Sequence, residues 1–263
     1  MALAAARQPL DLSSLRAGLS ELAWPTATQA QLKARSLQRR FDAKVILAAD
    51  QLLPLLGQTA NRHAIVDGGN GPIATYRNLY FDTPDGGCID DHRRGRRARY
   101  KIRLHHYPDR QFSTLEIKAK AADEQTRKAR RPVPFGQETL SLEDRRFIAK
   151  NCPIDPETLV PSLRIDFQRL TIIGLDEPER ATFDVNLSFR RGDDQVALPW
   201  LVIGELKQAR FRARSPMMLA LRRAGLRPLP MSKAMTGAGL LDPTVKTQRF
   251  RPTLRAVERT AHG

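Results

Sequence analysis

Alternation of charged and apolar positions is strongest between Arg94 and Arg131. Arg99, Lys101 and Arg103 alternate with Tyr100, Ile102 and Leu104, and Glu116, Lys118 and Lys120 alternate with Leu115, Ile117 and Ala119. Successive strand side chains point to opposite faces, so each segment predicts a strand with one apolar and one charged face. Tyr107-Pro108-Asp109-Arg110 between them predicts a turn, and the pair a hairpin. One face of that hairpin gathers five cations and one carboxylate. Like charges opposite each other destabilise a sheet, so such a face calls for water or a polyanion. Alone, the hairpin reads as an ordinary solvated face. Its recurrence along the chain changes that balance.

Strands are predicted at 37–47, 73–82, 163–173, 180–189 and 201–207. In 180–189 the alternation is strict: Ala181, Phe183, Val185, Leu187 and Phe189 share one face, and Thr182, Asp184, Asn186 and Ser188 the other. Helices are predicted at 50–56, at 139–150 behind Ser141, and at 215–226, with Ser215 as cap and Pro216 at the first position. Leucines at helical spacing over 10–22 predict a docking helix or loose arm in residues 1–36. Asp90, Asp91 and Arg93 fall in a linker, and Met231-Ser232-Lys233 in a loop. His105 and His106, beside a turn and without a partner motif, read as surface residues. The segment 242–263 reads as a basic tail, weakly ordered. Consecutive strands with few helices predict an α+β domain over 37–241, built on an antiparallel sheet.

Lys and Arg number 44 against 28 acidic residues, a net charge of +16. That surplus implies a polyanionic partner. Nucleic acid is disfavoured, because aromatic content is 6% and no RNA-binding motif is present. Two cysteines, Cys88 and Cys152, lack metal-ligand spacing and suggest a reducing, cytoplasmic setting, one disulfide remaining open. No signal-peptide pattern or membrane-length apolar run occurs. Walker, dinucleotide-binding and nucleophile-elbow motifs are absent.

The charged residues opposite apolar strand faces are Asp42, Lys44, Arg99, Lys101, Arg103, Glu116, Lys118, Lys120, Asp184, Glu205 and Lys207. If the sheet curls into a barrel, these faces line a tunnel, where cations hold phosphate oxygens and carboxylates hold a bridging divalent metal. Lys207 and Lys120, near strand ends, also fit solvated positions, and Asp184 also fits an ion pair with a tunnel arginine.

At these residues the chain resembles a family, the polyphosphate polymerase (VTC) domain of the vacuolar transporter chaperone complex. That domain is grouped with the CYTH proteins among the triphosphate tunnel metalloenzymes. The segments run in order: Arg40, Asp42 and Lys44; Leu79-Tyr80-Phe81-Asp82; Arg99, Lys101 and Arg103; Glu116 and Lys118; Lys128 and Arg130; Arg164 and Arg169; Asp184; Glu205 and Lys207; Ser232 and Lys233. The resemblance spans about residues 37–236. It implies an antiparallel eight-stranded β-barrel with flanking helices. It also implies ATP, inorganic polyphosphate or tripolyphosphate as ligands, with Mn²⁺ or Mg²⁺, and transfer of the ATP γ-phosphoryl group to a polyphosphate chain. By motif matching, Lys44, Arg99, Lys101, Arg103, Lys118, Lys128, Arg130 and Lys233 become phosphate ligands and Glu205 the main metal ligand, with Glu116 and Asp184 next. Arg169 is preferred over Arg164 as the arginine facing the tunnel. Asp42 stands where the family usually has Glu, and the E-x-E-x-K of CYTH triphosphatases is missing. Hydrolysis of a triphosphate in the same tunnel, or binding without turnover, are the alternatives. Any coupling to a membrane would need a separate membrane protein.

Overall fold

A computed structural model describes residues 7–37, 41–120 and 126–262. Eight strands follow one path through an antiparallel sheet: β1 (Phe41–Ala48), β10 (Leu201–Gln208), β8 (Glu179–Arg191), β7 (Val160–Gly174), β3 (Ile73–Asp82), β4 (Arg99–Tyr107), β5 (Phe112–Lys120) and β6 (Thr126–Val133). Two short strands lie off the path, β2 (His63–Ile65) on β7 and β9 (Asp194–Leu198) on β8. The helices are α1 (Leu12–Glu21), α2 (Gln29–Ala34), α3 (Leu52–Gly57), α4 (Gly87–Arg94), α5 (Leu142–Asn151), α6 (Pro216–Arg223), α7 (Lys233–Leu241) and α8 (Arg251–His262). The architecture is therefore α+β with an antiparallel sheet, as the alternation predicts. Among the described residues β1 and β6, at the two ends of the path, are not hydrogen-bonded to each other. Yet Lys44 of β1 and Lys128 of β6 line one cavity. The sheet curls until its ends face each other, and the ring stays open in its ladder.

Both faces are covered. On the convex face, Ala43, Val45 and Leu47 of β1 and Phe183 of β8 pack under Leu15 and Leu19 of α1, Leu52 and Leu55 of α3, and Met217 and Leu221 of α6. Further along, Ile102, Leu104, Leu115 and Ile117 pack under Ile148 of α5. On the concave face, Ile46, Ile165, Phe167 and Ile203 meet Ala234 of α7 and Val257 and Ala261 of α8. Each buried aliphatic or aromatic side chain contributes about 1.5–3 kcal/mol. The charged residues occupy the part of the concave face that these helices leave uncovered.

One strand switches faces. Ala181, Phe183 and Val185 lie in the convex core, whereas Leu187 and Phe189 lie in the concave one. The strict alternation read over 180–189 therefore breaks. The cause is Asn186, whose φ of 49° is left-handed, beside a register shift in the β7–β8 pairing. Asn tolerates that conformation better than branched residues do. The switch lets β8 send Asp184 inward and, after it, Leu187 and Phe189 inward as well.

Three segments differ from the sequence reading. The expected linker at Asp90–Arg93 is α4, because the Asp82 carboxylate accepts from the backbone N–H of Cys88 and Ile89 at its start. The expected loop at Lys233 is the first residue of α7, with Ser232 as its cap position. The expected weakly ordered tail contains α8, anchored by Thr253, Val257 and Ala261. His105 and His106 are buried, not surface residues: the Asn78 side-chain oxygen lies 2.5 Å from His105 Nδ1 and Ser113 Oγ 2.7 Å from His106 Nδ1.

The face switch predicts the response of position 186. Asn186→Gly should leave stability within a few tenths of a kcal/mol, whereas Asn186→Val should cost about 1–2 kcal/mol in denaturant unfolding. Equal stability of the two variants would contradict the role given to this residue.

Candidate functional site

The concave face encloses a cavity of about 230 Å³. It is lined by Asp42 and Lys44 from β1, Asn78 and Tyr80 from β3, Lys101 and Arg103 from β4, and Glu116 and Lys118 from β5. Lys128 of β6, Ile165, Phe167 and Arg169 of β7, Glu205 and Lys207 of β10, and Ser232, Lys233 and Ala234 at the start of α7 complete it. Eight cations face three carboxylates. The alternation of each strand supplies them, because the opposite positions are spent on the convex cores.

Register decides which charges are matched. Arg103, Glu116 and Arg130 stand side by side across β4, β5 and β6, so one carboxylate lies between two guanidinium groups. Arg103 Nε and Nη2 donate to Glu116 Oε2 at 3.0 and 2.5 Å, and Arg130 Nε meets Glu116 Oε1 at 2.8 Å. The remaining Arg103 nitrogen, Nη1, donates to Asn78 Oδ1 and the Tyr80 hydroxyl at 3.0 and 3.2 Å. One row along, Lys101, Lys118 and Lys128 stand side by side on the same three strands, and the row contains no acid. Lys101 donates to a neutral oxygen, Ser232 Oγ, at 3.0 Å, and Lys44 to the Met231 carbonyl at 2.9 Å.

On the opposite wall, Arg169 grips Asp184 through two hydrogen bonds of 2.5 and 2.8 Å, and Lys233 reaches the same carboxylate at 2.5 Å. The Arg169 guanidinium also lies 5.1 Å from the centres of the Tyr76 and Phe167 rings. Lys207 pairs with Glu205 at 2.9 Å.

The crowding shows in the proton affinities. Burial, and then Lys118, Lys44 and Arg103, hold the Lys101 ammonium well below the usual lysine range. Lys128 is pushed down to about 8, first by desolvation and then by Arg130, Arg103 and Lys118, with Glu116 opposing. Lys128 is nonetheless exposed by surface area, so the cavity opens at this rim. Burial raises the Glu205 carboxyl, but Lys207, Lys44 and Lys233 outweigh it and hold it well below the usual range.

Of the residues singled out from sequence, Lys44, Lys101, Arg103, Glu116, Lys118, Lys128, Arg169, Glu205, Lys207, Ser232 and Lys233 converge on this cavity. Asp184 is buried behind it, bound to Arg169 and Lys233. Arg99 lines an adjoining chamber instead. Arg130 is absent from the cavity lining and half exposed, paired to Glu116 at the rim. Arg164 turns away to Glu138. Arg169 shares the cavity face with Ile165 and Phe167. Arg40 lies outside the described residues. Asn78 and Phe167 went unread, and Tyr80 was named only as part of the Leu79–Asp82 segment, because uncharged side chains on a mixed face give no signal of their own.

The carboxylates differ in their fitness for a divalent cation. Glu116 and Asp184 are each bracketed by two cations, which matches their charge without a metal. Among the described residues Glu205 makes one direct ion pair, to Lys207, with Lys44 opposite it in the β1–β10 ladder; it faces the cavity, with Asp42 one diagonal away. Among the described residues no three His, Cys, Asp or Glu side chains gather as a ligand set. Mg²⁺ is commonly held by one or two carboxylates with phosphate oxygens completing its shell, and Glu205 fits that kind of site.

The family model of the VTC domain matches residues 39–238. The chain belongs to the VTC domain family. Its similar solved structures include a putative adenylate cyclase of Bacillus halodurans, at 13% identity and a TM-score of 0.46, covering 81% of this chain and 97% of that one. They also include a putative adenylyl cyclase of Hippeastrum described as revealing a dominant triphosphatase activity, at 14% identity and a TM-score of 0.46, covering 76% and 96%. No curated protein matches the chain.

The depressed lysines of this VTC domain set a pH dependence. Between about pH 8 and the ordinary lysine value, an unfolded chain keeps the Lys128 proton that the folded protein has released. Unfolded protein then binds more protons, so ligand-free stability should rise with pH across that window. Chemical unfolding at pH 7.5 and 9.5 would check it, and a lower midpoint at pH 9.5 would contradict it.

Proposed function

We propose that this VTC domain binds a chain of phosphates in the cationic cavity and transfers the ATP γ-phosphoryl group onto polyphosphate. The observation that supports this most is the Lys101–Lys118–Lys128 row, three like charges held side by side with no acid among them. That arrangement destabilises an empty protein and becomes favourable when phosphate oxygens stand between the lysines.

Phosphoryl transfer asks a protein chiefly to position the phosphates and stabilise charge on their oxygens. Lys101, Lys118 and Lys128 hold the chain along one wall, and Lys44 and Lys233 hold it along the other. Arg103 and Arg169, fixed by Glu116 and Asp184, present guanidinium groups that need no reordering when substrate arrives. Ser232, at the start of α7, adds a hydroxyl already aligned by Lys101. A divalent cation held by Glu205 would supply Lewis-acid stabilisation of the charge that develops on the phosphates. Polyphosphate or tripolyphosphate would occupy the same lysines as ATP. Among the described residues no helix is long and apolar enough to cross a membrane.

Three measurements test this. Purified protein incubated with ATP and Mn²⁺ should yield ADP and a ladder of phosphate polymer. Free phosphate in place of polymer would assign the site to hydrolysis, and no turnover with tight ATP binding would assign it to binding alone. Lys118→Ala should weaken tripolyphosphate binding by roughly tenfold to a hundredfold at fixed salt, since hydrogen bonds to charged groups are worth about 1.5–3 kcal/mol. Glu205→Gln should collapse turnover while leaving tripolyphosphate affinity in chelator equal or higher, because one negative charge has left the cavity. Unchanged affinity in Lys118→Ala would remove the phosphate reading of this wall.

A further inference from the structure

A second chamber, of about 490 Å³, adjoins the cationic cavity and shares Asp42, Lys44 and Ser232 with it. Its chemistry is different. Leu229, Met231 and Phe250 give it an apolar wall. His92 also lines it, with Nδ1 buried and without a hydrogen-bond partner among the described residues. Burial, followed by Lys101, Arg99 and Lys118, pushes His92 down to about 3, so its imidazole is neutral.

The wall is held in place by several ties. Leu229 N–H donates to the Lys44 carbonyl at 2.8 Å, and Thr253 Oγ1 of α8 donates to the Pro230 carbonyl at 2.7 Å. The Arg249 guanidinium donates to the Arg94 carbonyl at the end of α4. It passes close over Gly95, whose left-handed φ of 68° favours glycine. Arg249 and Phe250 lie beyond residue 238, where the match to the family model ends.

A string of phosphates has no use for an apolar wall or a neutral imidazole. A nucleoside uses both, because its base is a flat apolar ring with donors and acceptors along the edge. We propose that this chamber takes the nucleoside of a nucleoside triphosphate whose phosphates run past Lys44 and Ser232 into the cavity. Phe250 meets the face of the base, and the neutral His92 ring forms part of the chamber wall beside it. Phe250 is then a specificity-determining residue. This rests on the phosphate reading above and adds recognition of the organic end of the substrate.

ATP and methyl triphosphate carry the same esterified triphosphate charge, so their difference reads the nucleoside alone. Calorimetric titration in chelator at fixed ionic strength should show wild type binding ATP at least about fivefold more tightly. Phe250→Ala, checked for folding by its unfolding midpoint, should weaken ATP by about tenfold and leave methyl triphosphate within about twofold. If Phe250→Ala does not fold, the wild-type comparison decides by itself. Tight but equal binding of both ligands by wild type, or an equal loss of both in the variant, would overturn the nucleoside chamber and leave the phosphate reading standing. Binding of neither ligand by wild type would overturn both.

Discussion

Three lysines stand abreast on neighbouring strands, and much of the surrounding structure exists to keep them there. Lys101, Lys118 and Lys128 occupy one row across β4, β5 and β6. Lysine stands opposite lysine at each step of the row. What holds them together is the other face of the same strands, where Ile102, Leu104, Leu115 and Ile117 pack into a core with α5. The burial of that core offsets the charge that the alternation forces onto the concave side. A strand cannot present one face without the other, so the same residues that build the core aim the lysines.

The neighbouring charges are treated differently. Arg103 and Arg169, the two arginines lining the cavity, are clamped by carboxylates, and Glu116 and Asp184 are consumed in clamping them. Lysines supply the charge that remains. The guanidinium groups are oriented in advance, and among the lysines Lys233 and Lys207 also carry carboxylate partners, while Lys101 donates to a neutral hydroxyl. Glu205, in direct ion pair with Lys207, and Asp42 are the cavity carboxylates that clamp neither Arg103 nor Arg169. The apolar end of the concave face, under α7 and α8, leaves the charged part as the open cavity and gives the cavity a neighbour of opposite character.

Much of this was legible in the sequence where period 2 carried it. Lys44, Arg103, Lys118 and Glu205 were placed correctly from alternation, and Ser141 marked the start of α5, where the capping box with Asp144 forms. Motif matching named Arg130 as a phosphate ligand; its place at the rim, paired with Glu116, was not legible in the sequence. Asn186 reversed the parity of β8, a change that depends on one left-handed residue and leaves the alternation of letters intact. Helix α7 was missed because Ala234, Met235, Thr236, Gly237 and Ala238 are all buried, and a helix buried all round shows no amphipathic stripe. Helix α4 was missed because its start depends on Asp82, a cap supplied from the end of the preceding strand. The second chamber needed the fold, since Phe250 and His92 are 158 positions apart in the chain and meet only when α4 and the segment leading into α8 come together.

The central claim is that the lysine row costs the empty protein stability and is relieved by phosphate. Lys101→Met tests it, because the side chain keeps nearly the same length and loses only its charge. The measurement is the denaturant unfolding midpoint of wild type and Lys101→Met, each with and without inorganic tripolyphosphate at constant ionic strength. The variant should be as stable as wild type or more so without ligand, and should gain much less stability from tripolyphosphate. A variant that is less stable without ligand, and gains as much as wild type from tripolyphosphate, would contradict the account.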